Sequence, residues 1–159
     1  MKIRAAIPLD APEICAIWNG IIRDTDFTFT TEEKDAEKLA QEIAADPAHW
    51  LVADVGGVAG FLSFGPFRAG PGYVHTAEHS VYVAQGYGEQ GIGSALLQAY
   101  ESRAKARGIH VAVAGISATN LVAIAFHGHH GYAETARMSE LGRKEGKWLD
   151  LVLMQKILS

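Results

Sequence analysis

The chain has 159 residues, 48% of them hydrophobic and 20% charged. That composition suits one ordinary domain with a single core and excludes a disordered polymer. Lys and Arg number 14 against 18 Asp and Glu, a formal net charge of -4, so the chain carries no basic footprint for nucleic acid.

In chain order, Lys2 to Ile7 reads as a first strand, with Asp10 and Pro12 opening a helix. Ile14, Ile17, Trp18, Ile21 and Ile22 form its apolar stripe, and Cys15, the single cysteine, belongs to that stripe as core filler. With no partner for Cys15 no internal disulfide forms, no secretory leader is legible, and no apolar run reaches the roughly 18 residues of a membrane helix. The expected location is the cytoplasm. Residues 24–31 read as a loop and 31–45 as a second helix that Pro47 ends. Trp50 to Asp54 and Val58 to Gly65 form a hairpin about Gly56-Gly57. Pro66 to Gly72 is a loop, and Tyr73 to Val83 a long strand. A glycine-rich turn over 87–93 leads into a helix to Arg107, which Gly108 closes. His110 to Gly115 is a strand, and 120–130 a helix stopped by Gly131. Tyr132 to Leu141 and Lys147 to Leu158 are the last strands, joined by a turn over 142–146. The pattern predicts a mixed α/β domain spanning 1–159, a central mixed sheet with helices on both faces.

The sharpest local signal is Gly86-Tyr87-Gly88-Glu89-Gln90-Gly91-Ile92-Gly93-Ser94 between a strand and a helix. Glycines let the backbone approach a ligand closely, and unpaired amides at a helix start hold phosphate oxygens. A phosphate-binding loop of the Gly-Lys-Ser/Thr type is excluded because no lysine precedes Ser94. A dinucleotide fingerprint is disfavoured by the mid-chain position and by the lack of an acid at the end of the next strand. A tight turn without a ligand stays open on spacing alone.

This turn resembles motif A of the GNAT superfamily of N-acetyltransferases, Gln/Arg-x-x-Gly-x-Gly/Ala, with Gly91 and Gly93 as its glycines. Nearly the whole chain is similar to the phosphinothricin and methionine sulfoximine acetyltransferase branch. The likeness runs through Gly65-Pro66-Phe67-Arg68, Thr76-Ala77-Glu78, Val81-Tyr82-Val83, Asn120 with His127, and Gly131-Tyr132. The chain departs from motif A at Gly88 and Glu89, and from some relatives at Val74, where they carry an arginine. The resemblance implies a GNAT-like fold whose sheet splays open between its fourth and fifth strands. It implies acetyl-CoA as cosubstrate, with the diphosphate on Gly88, Gln90, Gly91, Ile92, Gly93 and Ser94. The pantetheine arm would meet the backbone near Tyr82 and Val83, freed by a bulge in the fourth strand, and Asn120. It further implies transfer of an acetyl group to the α-amine of a small amino acid, and a homodimer; Trp148 is a candidate for its interface, with a place in the monomer core as the equal alternative.

For the chemistry, Glu78 is the first candidate for general base, because it lies on the strand where the sheet opens and burial raises a carboxyl pKa. His127 occupies the position where the resemblance implies a proton-transfer group, and imidazole suits that task near neutral pH. A plain surface carboxylate and a structural imidazole are the respective alternatives. Arg68 is the candidate clamp for a substrate carboxylate. Phe67, Tyr73, Phe27 and Phe29 are candidate walls for the side chain, and His75 a candidate pocket residue. His79 alternates with Glu78 and is expected on the other face of the sheet. The pairs His75/His79 and His127/His130 lack acids or cysteines at ligand spacing, so no metal is expected. Two other readings stay open. One is acetylation of an aminoglycoside, polyamine or protein N-terminus, given the acids Glu32, Glu33, Asp35, Glu37 and Glu42. The other is a non-enzymatic acetyl-CoA-binding module.

Overall fold

The computed structural model describes residues 1–158. Its strands are β1 (Lys2–Ala5), β2 (Trp50–Asp54), β3 (Val58–Pro66), β4 (Thr76–Val83), β5 (Val111–Ser117), β6 (Ala133–Lys144) and β7 (Lys147–Ile157). Its α-helices are α1 (Ala11–Asp24), α2 (Ala36–Ala45), α3 (Ile92–Ala106) and α4 (Leu121–His129). The strands form one sheet in the order β1-β2-β3-β4-β5-β7-β6. Only the β4–β5 pair is parallel; its crossover carries α3, as a parallel connection requires.

Strand alternation divides the core between two faces. Leu62 and Phe64 of β3, Ala77 of β4 and Ala112 and Ala114 of β5 meet Leu96, Leu97 and Tyr100 of α3. Val52 and Phe61 meet Ile14 of α1 and Leu39 and Ile43 of α2 on the other face. Each such fully buried large side chain contributes roughly 1.5–3 kcal/mol, and both faces are needed to hold the sheet between its helices.

Several boundaries differ from those the sequence suggests, each for a local reason. The second helix begins at Ala36, five residues later than expected. Asp35 caps it by accepting the Lys38 N–H, and Asn19 fastens the backbone of Lys34 through two hydrogen bonds of 2.7 and 3.0 Å. Asp10 does not cap α1 with its side chain; its carboxylate accepts the Ile7 N–H and pairs with Arg4. β4 begins at Thr76 and not Tyr73, because Pro71–Tyr73 form a short 3-10 turn after Gly70, whose φ is 108°. β6 runs through Gly142 to Lys144, since the hairpin needs only the two left-handed residues Glu145 and Gly146 to turn into β7. The bulge expected in β4 is absent: its register with β3 runs unbroken from Pro66↔Ala77 to Gly60↔Val83.

Candidate active site

β4 and β5 pair only from Thr76↔Val111 to His79↔Ala114. Beyond that point Ser80–Val83 and Gly115–Ser117 diverge, and the sheet is split. The antiparallel ladder fixes which backbone groups face the split. Ala84 N–H donates to Ala59 O at 2.8 Å, and the Tyr82 carbonyl lies against Gly60, so even-numbered residues of β4 point to β3. Val81 and Val83 therefore turn their amides and carbonyls into the gap. Tyr82, a residue singled out for its backbone, directs those groups away from it, lines the groove, and packs its ring beside Trp18 and Phe61. Strand separation, rather than a bulge, frees the polar edge.

A groove of about 600 Å³ follows this edge from the start of α3 to the inner turn of α4. Gly91, with φ 73°, caps α3, and the first helical bond is Ala95 N–H to Gly91 O at 3.0 Å. The amides of Ile92, Gly93 and Ser94 thus lie ahead of the ladder at the positive end of the helix. Gly93 packs closely: a Cβ there would stand 3.3 Å from the Phe126 ring, which would have to shift by a few tenths of an ångström. Gly88 and Glu89 line the groove and Gln90 does not. Ser94 Oγ is 2.9 Å from His130 Nε2. Asn120 lines the groove and caps α4 by accepting the Ala123 N–H at 3.2 Å. An elongated ligand with an anionic group fits this arrangement, with donors at the helix mouth and a free strand edge along its length.

His127 closes the inner end. Its ring is buried, with Nδ1 2.8 Å from Ala123 O and Nε2 3.0 Å from His79 Nε2. Burial lowers the His127 pKa, against the opposing effect of the Ala123 bond. Burial and the neighbouring His127 push His79 down to about 3. His79 was expected to face away from Glu78, and it does; its pairing with His127, 48 positions distant, has no signature in the sequence. A recess of about 40 Å³ continues from the groove, lined by His79 and Ala114 from one face of the sheet and Ser80, Gly115 and Ser117 from the other. It therefore runs through the split.

Glu78 stands on the far side of that split. Its carboxylate packs over Gly115, where an added Cβ would meet Oε2 at 2.8 Å, and partial burial raises its pKa. Glu78 and His127 thus lie on opposite faces of β4; the recess is lined by His127 and by Gly115, which the Glu78 carboxylate covers.

The other candidate substrate residues are dispersed. Arg68 and Tyr73 line a separate cavity of about 480 Å³ with His49 and Phe64, beside the start of β4. Arg68 stacks near the Phe67 ring, 5.6 Å from its centroid, and Phe67 sits beside Tyr73. His75 bonds Gly108 O through Nδ1 at 2.8 Å. Phe29 packs on Gly142 of β6, while Phe27 lines both groove and recess. Among the described residues no group of three His, Cys, Asp or Glu forms a metal cluster, and no helix is long and apolar enough to cross a membrane.

These features have counterparts in known proteins. The chain is 37% identical to the L-amino acid N-acyltransferase MnaT of Escherichia coli, over 98% of the chain and 92% of the relative. It is 38% identical to the L-methionine sulfoximine/L-methionine sulfone acetyltransferase of Pseudomonas aeruginosa, over 97% and 92% respectively. Its fold superposes with a TM-score of 0.93 on YncA, a putative acetyltransferase of Salmonella typhimurium solved with its cofactor acetyl-CoA, at 35% identity, covering 100% of this chain and 94% of that one. Residues 15–132 match the model of the Acetyltransferase (GNAT) family. A split sheet with a glycine-rich helix mouth, a match over most of the chain and relatives at this identity lead to one assignment: the chain belongs to the GNAT family of acetyltransferases.

Proposed function

We propose that this enzyme transfers the acetyl group of acetyl-CoA to the α-amine of a small amino acid of the methionine sulfoximine, methionine sulfone or phosphinothricin type. The observation that carries the reading is the convergence of free amides at Ile92–Ser94, the unpaired edge of Val81 and Val83, and His127 on one groove that opens through the sheet toward Glu78. Relatives named for these substrates support the choice of amine.

Acetyl-CoA supplies the acetyl group as a thioester. The residues that would hold it are Gly88, Gly91, Ile92, Gly93 and Ser94 at the diphosphate, the strand edge of Val81 and Val83 along the arm, and Asn120. Gln90 acts in this reading by shaping the turn, through its N–H bond to Tyr87 O. Glu78 serves as general base, taking a proton from the substrate ammonium; its raised pKa makes it a better acceptor than a solvated carboxylate. His127 moves a proton at Nε2 on the other side of the split. Phe27 walls the amine site. Arg68, Phe67, Tyr73 and His75 are the substrate-binding residues on the segment before β4, with Arg68 as the carboxylate clamp. The enzyme works as a cytoplasmic homodimer that covers Trp148 on β7 and Met138 and Leu141 on β6, which are 58%, 41% and 52% exposed.

Thiol release from acetyl-CoA with a panel of amino acids and polyamines tests the reading. Saturable turnover with methionine sulfoximine, methionine sulfone or phosphinothricin is the expected result. Background rates with every amino acid would overturn it.

A further inference from the structure

Two imidazoles, and not one, stand at the inner end of the groove, and their hydrogen bonds fix where the protons are. A carbonyl oxygen only accepts, so the 2.8 Å contact of His127 Nδ1 with Ala123 O requires a proton on Nδ1. Neutral His127 then has a lone pair at Nε2. The partner at 3.0 Å, His79 Nε2, must be the donor. That leaves the His79 lone pair on Nδ1, which is buried and has no hydrogen-bond partner.

We propose that His79 is a positioning residue for the acetyl transfer: by donating its Nε2–H to His127 Nε2 it holds His127 in the neutral, Nδ1-protonated tautomer. With Nδ1–H held by Ala123 O and the one lone pair of Nε2 taken by His79, His127 is not a proton donor at rest, and it accepts a proton at Nε2 only once the His79 N–H turns off it. This inference rests on the reading of His127 as the proton-transfer group. Uptake of a proton at Nε2 sets two N–H groups against each other, so the imidazolium is disfavoured at rest and gives the proton up readily. A hydrogen bond to the neutral form lowers the acceptor's pKa, the same direction as burial of His127.

The surroundings reinforce the arrangement. The two rings stack at 5.2 Å between centroids with 28° between planes. Tyr100 of α3 lies 4.8 Å from the His79 ring, and Tyr132 lies edge-on to His127 at 5.1 Å. The other titratable or charged groups acting on His127 are His130, just past the end of α4, and Glu101 on α3. Glu101 is occupied by Tyr132 Oη and Lys156 Nζ, and His130 by Ser94 Oγ. His79 is therefore the group in hydrogen-bond contact with His127 Nε2.

The test pairs imidazole nitrogen NMR with pH–rate profiles on the full-length enzyme. In the wild type at neutral pH, His127 should show a protonated Nδ1 and a bare Nε2, and His79 the reverse. This readout needs neither a variant nor turnover; a protonated Nε2 on His127, or a charged ring, would overturn the proposal. His79→Phe keeps the ring but removes the donor. It should raise the His127 pKa, and with it the acid limb of kcat/KM, by about one pH unit, while KM for acetyl-CoA changes less than about twofold. His79→Gln restores an N–H donor and should return the limb toward the wild-type position. An unmoved limb and unmoved His127 shifts in His79→Phe would refute the positioning role. His127→Phe separates the two readings: if it keeps the wild-type profile, His127 carries no proton in turnover, whatever the His79 spectra report.

Discussion

The carboxylate of Glu78 occupies the space above Gly115, on the strand across the split: a Cβ on Gly115 would stand 2.8 Å from Glu78 Oε2. The nearest obstacle to a methyl group is thus the far end of a flexible side chain and not backbone. Gly115→Ala should displace the carboxylate while leaving the sheet intact. The expected result is a fall in kcat of about tenfold or more, a loss in the range set by misplacing a catalytic group, with unchanged circular dichroism and coenzyme A affinity. Full activity in Gly115→Ala would detach Glu78 from the base role.

Glu78 itself should trade stability for function. Burial raises its folded pKa above the unfolded value. The folded state then binds the proton more tightly, so its contribution to stability is present below the unfolded pKa and is lost as pH rises through the folded value. Glu78→Gln should lower kcat by about 10²–10⁴, yet melt at or above the wild-type temperature at pH 8, with that advantage vanishing near pH 4. Melting curves at the two pH values, beside steady-state rates, check both halves.

Glu89 lines the groove next to the α3 mouth. A carboxylate there opposes an anionic ligand, weakly because it is exposed and screened by salt. Glu89→Gln should lower KM for acetyl-CoA by about threefold at low ionic strength, and the gain should disappear in molar salt. KM measured across a salt series decides it; no gain at low salt would mean that the side chain points clear of the ligand.

What was legible in the sequence was local. The glycine-rich turn, the cap at Asn120, the hairpin at Gly56-Gly57 and the opposite facing of Glu78 and His79 all follow from spacing within a few residues. The sheet order and the split rest on family likeness, since no short-range pattern encodes which strands part. Contacts between distant segments were not legible at all: His79 with His127, Glu78 with Gly115, Phe29 with Gly142. Arg68 shows the limit from the other side. Its residue type suits a carboxylate clamp, but it lies on the loop between β3 and β4, where no alternation fixes a direction, and it lines the cavity beside His49.

The same limit hides Lys144. As one charge in the run Arg143-Lys144-Glu145 it reads as a solvated hairpin residue, but it is 4% exposed. Its ammonium donates to the carbonyls of Ile22 and Thr25 at 2.8 Å each, and to Thr28 O at 3.0 Å and Thr28 Oγ1 at 3.2 Å. It thereby ties the C-terminus of α1 and the following loop to β6, and the favourable end of the helix dipole faces the charge. Phe27 lies between two of those anchored residues and lines the groove, so the tie also sets one wall of the site. Lys144→Met fills similar volume but leaves buried carbonyls without a donor. It should cost about 3 kcal/mol in urea unfolding, speed amide exchange over residues 25–29, and raise KM for the amine more than KM for acetyl-CoA. A stable variant with slow exchange in that loop would show that water replaces the ammonium, and that the position of Phe27 is set by Asp26, which accepts from Thr119 Oγ1 at 2.8 Å and pairs with Lys147.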